Sequence, residues 1–109
     1  MKLGPDSKIP RQEHLLSDGT TLLRLEVPVK GYPNEEVNRN IFLLNPAGQI
    51  IWRVAYHECI HGDDPFVGVD VAPGGAITGL TWDGWRFEID PTNGNLKMWL
   101  DEELMPKRN

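Results

Sequence analysis

Asn38–Val54 reads NRNIFLLNPAGQIIWRV, and Gly84–Leu100 reads GWRFEIDPTNGNLKMWL. Each stretch is an alternating apolar run, an Asn-Pro or Asp-Pro corner, a Gly turn and a second apolar run containing Trp. Alternation with period two is the signature of a half-buried strand. An Asx-Pro step followed by Gly is turn chemistry, because Pro presets φ and Gly accepts the positive φ that a tight reversal needs. Each copy therefore reads as a β-hairpin, Asn40–Asn45 with Gln49–Ala55 and Trp85–Asp90 with Asn95–Leu100.

The same grammar extends outward. Gln12–Leu16 is a short candidate strand closed by Ser17-Asp18-Gly19. Thr20–Val29 alternates, with Leu23, Leu25, Val27 and Val29 on one face and Arg24 and Glu26 on the other. Phe66–Ala72 places Val67, Val69 and Val71 together, Pro73-Gly74-Gly75 turns the chain, and Ala76–Trp82 returns to the Asp83-Gly84 turn. Lys30–Arg39 reads as a loop, and Tyr56–Pro65 is polar and ambiguous. The sum is an all-β, single-domain antiparallel meander of seven or eight short strands over residues 1–109. It has a loose N-terminal arm at 1–11 and a charged C-terminal tail at 101–109. A small β-sandwich or a partly open barrel is the alternative closure. One apolar face per strand predicts a sheet wet on its other side. Burial is predicted for Leu23, Leu25, Ile50, Trp52, Val54, Val67, Val69, Phe87 and Ile89.

The matching positions Leu44 and Ile89 lie 45 residues apart, a separation typical of β-propeller blades. The segment GLTWDGWRFEIDPTNGNLKMW resembles a blade of the quinoprotein-type (PQQ) β-propellers. Gly79, Asp83-Gly84, Ile89-Asp90, Asn93-Gly94 and Trp99 stand at the corresponding places, as do Leu44-Asn45, Gly48 and Trp52 in the first copy. The resemblance implies blade-like meanders. A closed propeller needs four or more blades, and this chain has length for two. No quinone-binding residue carries over, and no cofactor is expected. Five steps separate Gly94 from Trp99 against four from Gly48 to Trp52, so alternation pairs Trp52 with Met98.

Composition narrows the function classes. The formal net charge of −5 argues against nucleic-acid binding, which needs clustered Lys and Arg. It suits a partner with a basic surface. No apolar stretch approaches a membrane span. Cys59 is the single cysteine, so an intramolecular disulfide is impossible. That fact and the absence of an apolar leader at the N-terminus point to a reducing, cytoplasmic setting.

His57-Glu58-Cys59-Ile60-His61 matches H-E-x-x-H in letters. That motif binds zinc when a helix sets both His on one face with the Glu beside the bound water. Here Gly62, Asp63, Asp64 and Pro65 end the segment at once. Read as a strand, it places His57, Cys59 and His61 on one face, a weak candidate metal set that Asp63 or Asp64 would complete. The bland reading, a polar strand end with a small buried thiol, is preferred, and His57→Ala is expected to leave stability little changed. No catalytic residues are assigned.

The candidate binding residues are Asp63, Asp64, Asp83 and Trp85. The first two fall in the least periodic interior segment, and the last two on a hairpin tip able to pair an aromatic anchor with a charge. Of the four tryptophans, Trp82 and Trp85 flank Asp83-Gly84, which places at least one near solvent. The functional expectation is a non-enzymatic protein-binding module of immunity or inhibitor type. A zinc-dependent hydrolase and a structural homo-oligomer are the alternatives.

Overall fold

The computed structural model describes residues 2–27, 31–57 and 62–98. The chain is all-β. Its strands are β1 (Arg11–Leu15), β2 (Thr21–Leu25), β3 (Ile41–Leu44), β4 (Ile50–Arg53), β5 (Phe66–Val71), β6 (Ile77–Thr81), β7 (Arg86–Ile89) and β8 (Leu96–Met98). Among the described residues they form two four-stranded antiparallel meanders, β1-β2-β3-β4 and β5-β6-β7-β8, with no closed barrel. One helical turn, α1 (Asn34–Val37), lies inside the segment read as a loop. Trp99, Val29 and the charged tail at 101–109 lie outside the described residues.

Turn chemistry explains why the chain reverses where it does. In the β3–β4 turn the Gly48 N–H donates to Asn45 O at 2.9 Å and the Asn45 N–H to Gln49 O at 2.8 Å. The β1–β2 turn repeats this pattern with Leu16, Gly19 and Thr20, and the β5–β6 turn with Ala72, Gly75 and Ala76. The β7–β8 turn is one residue longer, with the Gly94 N–H donating to Asp90 O at 2.8 Å. In the two Asx-Pro turns the Asx side chain caps the bend. Asn45 Oδ1 accepts from the Ala47 and Gln49 N–H groups, and Asp90 Oδ1 from the Thr92 N–H.

The two sheets share one core. Leu22, Ile41, Leu43, Trp52 and Val54 of the first pack with Phe66, Val69, Ile77, Phe87 and Ile89 of the second. Each such side chain contributes about 1.5–3 kcal/mol when fully buried. The shortest axis of the molecule is 20 Å, which accommodates two layers about 10 Å apart with their outer side chains. The stacking is front to back. Counted from the hairpin turns, Leu44 corresponds to Ile89 and Leu43 to Glu88. The first sheet offers its Leu43 face to the shared core, whereas the second offers the face equivalent to Leu44. The remaining face of the second sheet carries the cross-strand row Asp70–Thr78–Glu88–Lys97.

Two bulges redirect side chains that simple alternation would bury. The β3–β4 register shifts between Leu43 and Leu44, pairing Leu44 with Ile50 and Leu43 with Trp52. Ile51 is the extra residue, so Ile50 faces outward at 50% exposure while Trp52 and Val54 stay in the core. It also sets Trp52, opposite Leu43, in the place that Lys97 holds opposite Glu88, not that of Met98. On β5 the register shifts between Phe66 and Gly68, and Val67 is 40% exposed. The other seven residues predicted to be buried are buried.

The outer face of the first sheet is not wet. Leu23, Leu25 and Phe42 form a second core with Leu3, flanked by Ile9, Val27, Tyr32 and Leu44. The N-terminal residues are therefore packed rather than loose. Leu3 is buried, and its N–H donates to Glu36 Oε1 at 2.7 Å. Glu36 in turn meets Arg53 at 3.3 Å, and the Arg53 guanidinium lies 5.0 Å over the Phe42 ring. Arg24 is 7% exposed on the opposite, core-facing side. Lack of periodicity in residues 2–10 hid this cover, because a cap needs only two apolar side chains.

Burial opposes ionisation of Glu36, but the Leu3 N–H and the Arg53 and Arg39 guanidiniums outweigh it and hold its pKa below the ordinary 4.5. A carboxyl group with a lowered folded-state pKa adds stability above its ordinary value and loses it as pH falls through the lowered one. Stability should therefore decline below about pH 4.5, with a component that Glu36→Gln removes, as read by denaturant titration across a pH series. A second test concerns the joint between the sheets. A Cβ on Gly94 (φ +78°) would sit 2.6 Å from Trp52 Cε3 and 3.0 Å from Arg53 O, whereas one on Gly75 (φ +92°) meets nothing within 4 Å. Gly75→Ala should cost about 1 kcal/mol from its left-handed backbone alone. Gly94→Ala should cost about 2–4 kcal/mol, because overpacking adds to that strain. Equal costs in chemical denaturation would contradict this account of the joint.

Candidate functional site

The chain crosses from the first sheet to the second just before β5, and two asparagines fix the crossing. Asn40, fully buried, accepts the Phe66 N–H at Oδ1 (2.9 Å) and donates from Nδ2 to Phe66 O (2.8 Å) and Leu25 O (2.7 Å). Its amide therefore satisfies the Phe66 backbone as a neighbouring strand would. Asn38, also fully buried, accepts the Asp64 N–H at 2.6 Å and donates to Gly62 O at 2.9 Å. Leaving such groups unpaired would cost about 1–3 kcal/mol each.

Asp64 sits at the centre of a buried polar network. It is 0% exposed. Its Oδ1 accepts the Asp83 N–H at 2.7 Å, and its Oδ2 lies 3.3 Å from His57 Nε2. The His57 ring is held between Phe66 and Phe87, with centroids 5.3 and 5.2 Å away. His57 Nδ1 is buried and has no hydrogen-bond partner among the described residues. With Nε2 against a carboxylate and aromatic rings around it, His57 is a packed core residue.

Beside this network lies an open groove of about 660 Å³. Its walls include Pro10 and Val27 from the first sheet's side and Pro65, Val67 and Trp82 from the second's. Arg24, Glu26 and Asp63 supply its polar groups. The Trp82 N–H donates to Pro65 O at 2.9 Å, which fixes the backbone beneath the indole, while Trp82 as a whole is 74% exposed. Arg24 is engaged already. It reaches Gln12 Oε1 at 2.9 Å, Phe66 O at 3.4 Å and Glu26 Oε1 at 3.4 Å. Asp63 Oδ1 is shielded from solvent and has no hydrogen-bond partner among the described residues.

The expected binding residues thus separate. Asp63 lines the groove. Asp64 does not present its carboxylate to a partner, because the carboxylate is wholly buried against His57 and the Asp83 backbone. Asp83 is held against this network through its N–H. Trp85 is half-buried, packs on the main core and donates its N–H to Thr81 Oγ1 at 3.1 Å, so Trp82 is the exposed member of the pair. Of the H-E-x-x-H segment only His57 is described. Cys59 and His61 lie outside the described residues, as do Glu58 and Ile60. Among the described residues no group of three His, Cys, Asp or Glu side chains is placed to hold a metal.

Sequence reasoning gave no role to Asn38, Asn40 or Arg24. The pair of amides before an apolar run in Asn38-Arg39-Asn40 was the available signal, since two asparagines at a strand entrance favour side chain to backbone bonding. Residue 64 gives a clear test of the network. Asp64→Ala should cost about 3 kcal/mol, because it strips partners from a buried histidine and a backbone N–H. Asp63→Ala should cost under about 1 kcal/mol. His57→Ala should also lower the melting temperature measurably, against the mild effect the sequence alone suggested, since it opens a cavity between two phenylalanines. Thermal melts of the three variants check the order.

The family model for the Domain of unknown function (DUF7957) matches residues 8–99, a span that contains every described strand. No curated protein and no solved structure matches the chain.

Proposed function

The chain belongs to the DUF7957 family, a domain of unknown function, and from that premise we propose that it is a non-enzymatic protein-binding module. Its docking surface is the groove beside Trp82, and its partner carries a basic surface. The carrying observation is Trp82, a large indole 74% exposed over a backbone pinned to Pro65. Exposed, rigidly mounted tryptophans are the residues on which interfaces concentrate their affinity. The neighbouring Val67, at 40% exposure, extends the apolar patch. Glu26 and Asp63 border it with negative charge, in keeping with the net charge of −5. Such a surface suits recognition of a positively charged partner, which acidic groups steer and orient. A module that neutralises a basic protein, in the manner of an immunity or inhibitor protein, is the biological form of this reading, by analogy of charge and size.

A catalytic role finds less support in the same residues. Among the described residues His57 is the histidine nearest the crossing, and it lies at 9% exposure between Phe66 and Phe87. Its Nε2 is directed at a carboxylate that is itself out of solvent. A general base must reach a substrate proton within about 3 Å.

Trp82→Ala tests the proposal. With the native partner recovered by affinity capture, the variant should bind at least about 30-fold more weakly, a loss of about 2 kcal/mol. Its melting temperature should stay close to that of the parent, because the side chain is on the surface. Trp85→Ala should do the reverse and lower the melting temperature. Unchanged binding by Trp82→Ala would place the docking surface elsewhere.

A further inference from the structure

We propose that the groove is a socket for an arginine side chain presented by a partner polypeptide, its guanidinium held between the Trp82 indole and the Asp63 carboxylate. This rests on the reading of the groove as a protein-docking surface and names the chemistry that it selects. Three observations carry it. First, among the described residues the groove leaves one carboxylate without a counterion. Arg24 is neutralised by Glu26 at 3.4 Å and also donates to Gln12 Oε1 and Phe66 O. Asp63 has no such counterion among the described residues, and its Oδ1 has neither solvent nor hydrogen-bond partner. A cation entering the groove would give the Asp63 carboxylate the counterion it lacks among the described residues.

Second, the Trp82 ring is bare at the same groove. An indole face attracts a cation within about 6 Å of its centroid, and guanidinium more often than ammonium. Guanidinium also stacks flat on an aromatic ring while keeping its edge free for a carboxylate, which a lysine ammonium does not do. Third, the remaining walls, Pro10, Val27, Pro65 and Val67, are apolar. They fit the methylene stem of an arginine, which buries well against apolar surface while its head stays polar. The volume of about 660 Å³ also leaves room for flanking residues of an extended segment. A purely aliphatic occupant would leave Asp63 uncompensated, and an anionic one would be repelled by Asp63 and Glu26.

The experiment uses the full chain and two synthetic peptides, acetyl-Leu-Arg-Leu-amide and its citrulline counterpart. Citrulline has the shape of arginine without the charge. Titrations are followed by the Trp82 indole N–H resonance, assigned through Trp82→Phe. The arginine peptide should give saturable shifts at Trp82 and bind at least about tenfold more tightly than the citrulline peptide. Asp63→Asn should lower its affinity about tenfold and flatten its salt dependence, with the melting temperature unchanged. Glu26→Gln should have a smaller effect, since Glu26 is already paired with Arg24. Equal binding of the two peptides at Trp82 would overturn the arginine proposal while leaving the docking surface intact. Saturable shifts that avoid Trp82, or none up to about 10 mM peptide, would also overturn it. In either of those cases the wider reading is decided separately, by the native partner and Trp82→Ala.

Discussion

The architecture depends on one side chain acting as a strand. Asn40 satisfies both backbone groups of Phe66 and a carbonyl of β2 at once, from a site with no solvent. Without it the first residue of β5 would present an unpaired N–H to the core and keep only the 3.4 Å contact from Arg24 at its carbonyl, and the second sheet would lose its closest tie to the first. Asn38 performs the same service two residues earlier for Gly62 and Asp64. The position of Pro65 follows from this clamp, and the Trp82 backbone hangs from Pro65. The groove is thus a consequence of how two sheets are joined.

Buried polar contacts of this kind gain modest net stability, because water offers each group equivalent bonds in the unfolded chain. Their effect is larger on uniqueness, since a shift of the second sheet by one residue would orphan several groups together. Apolar packing alone would tolerate such a slip more readily. The shared core of leucine, valine, isoleucine and phenylalanine supplies the driving force, and Asn38, Asn40, Arg24 and Asp64 set the alignment.

What could be read from the sequence follows the range of each interaction. The hairpins were legible because their determinants are local. Asn45-Pro46 with Gly48, and Asp90-Pro91 with Gly94, specify their turns within five residues. Alternation then placed most of the core. It failed at Ile50 and Val67, where one inserted residue moves a side chain to the other face, and nothing in the letters marks the insertion. It failed also for the covered outer face, because Leu3 and Ile9 reach it from a segment without period. In the site, the sequence pointed to Asp63, which lines the groove, and to Trp85 as the surface tryptophan, whereas Trp82 is the exposed one. It set Asp64 beside Asp63 as a second surface acid. The difference between those neighbours comes from Asn38, His57 and Asp83, up to 26 residues distant in the chain.

Front-to-back stacking has a consequence for what keeps this protein finite. An arrangement in which unlike faces meet does not close on itself after two layers, so the same contact could in principle be repeated without limit. Both ends of this pair are stopped, each by a different device. At one end Leu3, Ile9 and Tyr32 pack over Leu23, Leu25 and Phe42. At the other, Asp70, Glu88 and Lys97 replace the apolar residues that a third layer would demand. The arm and the charged row are therefore two unlike ways of ending a stack whose geometry alone does not end it.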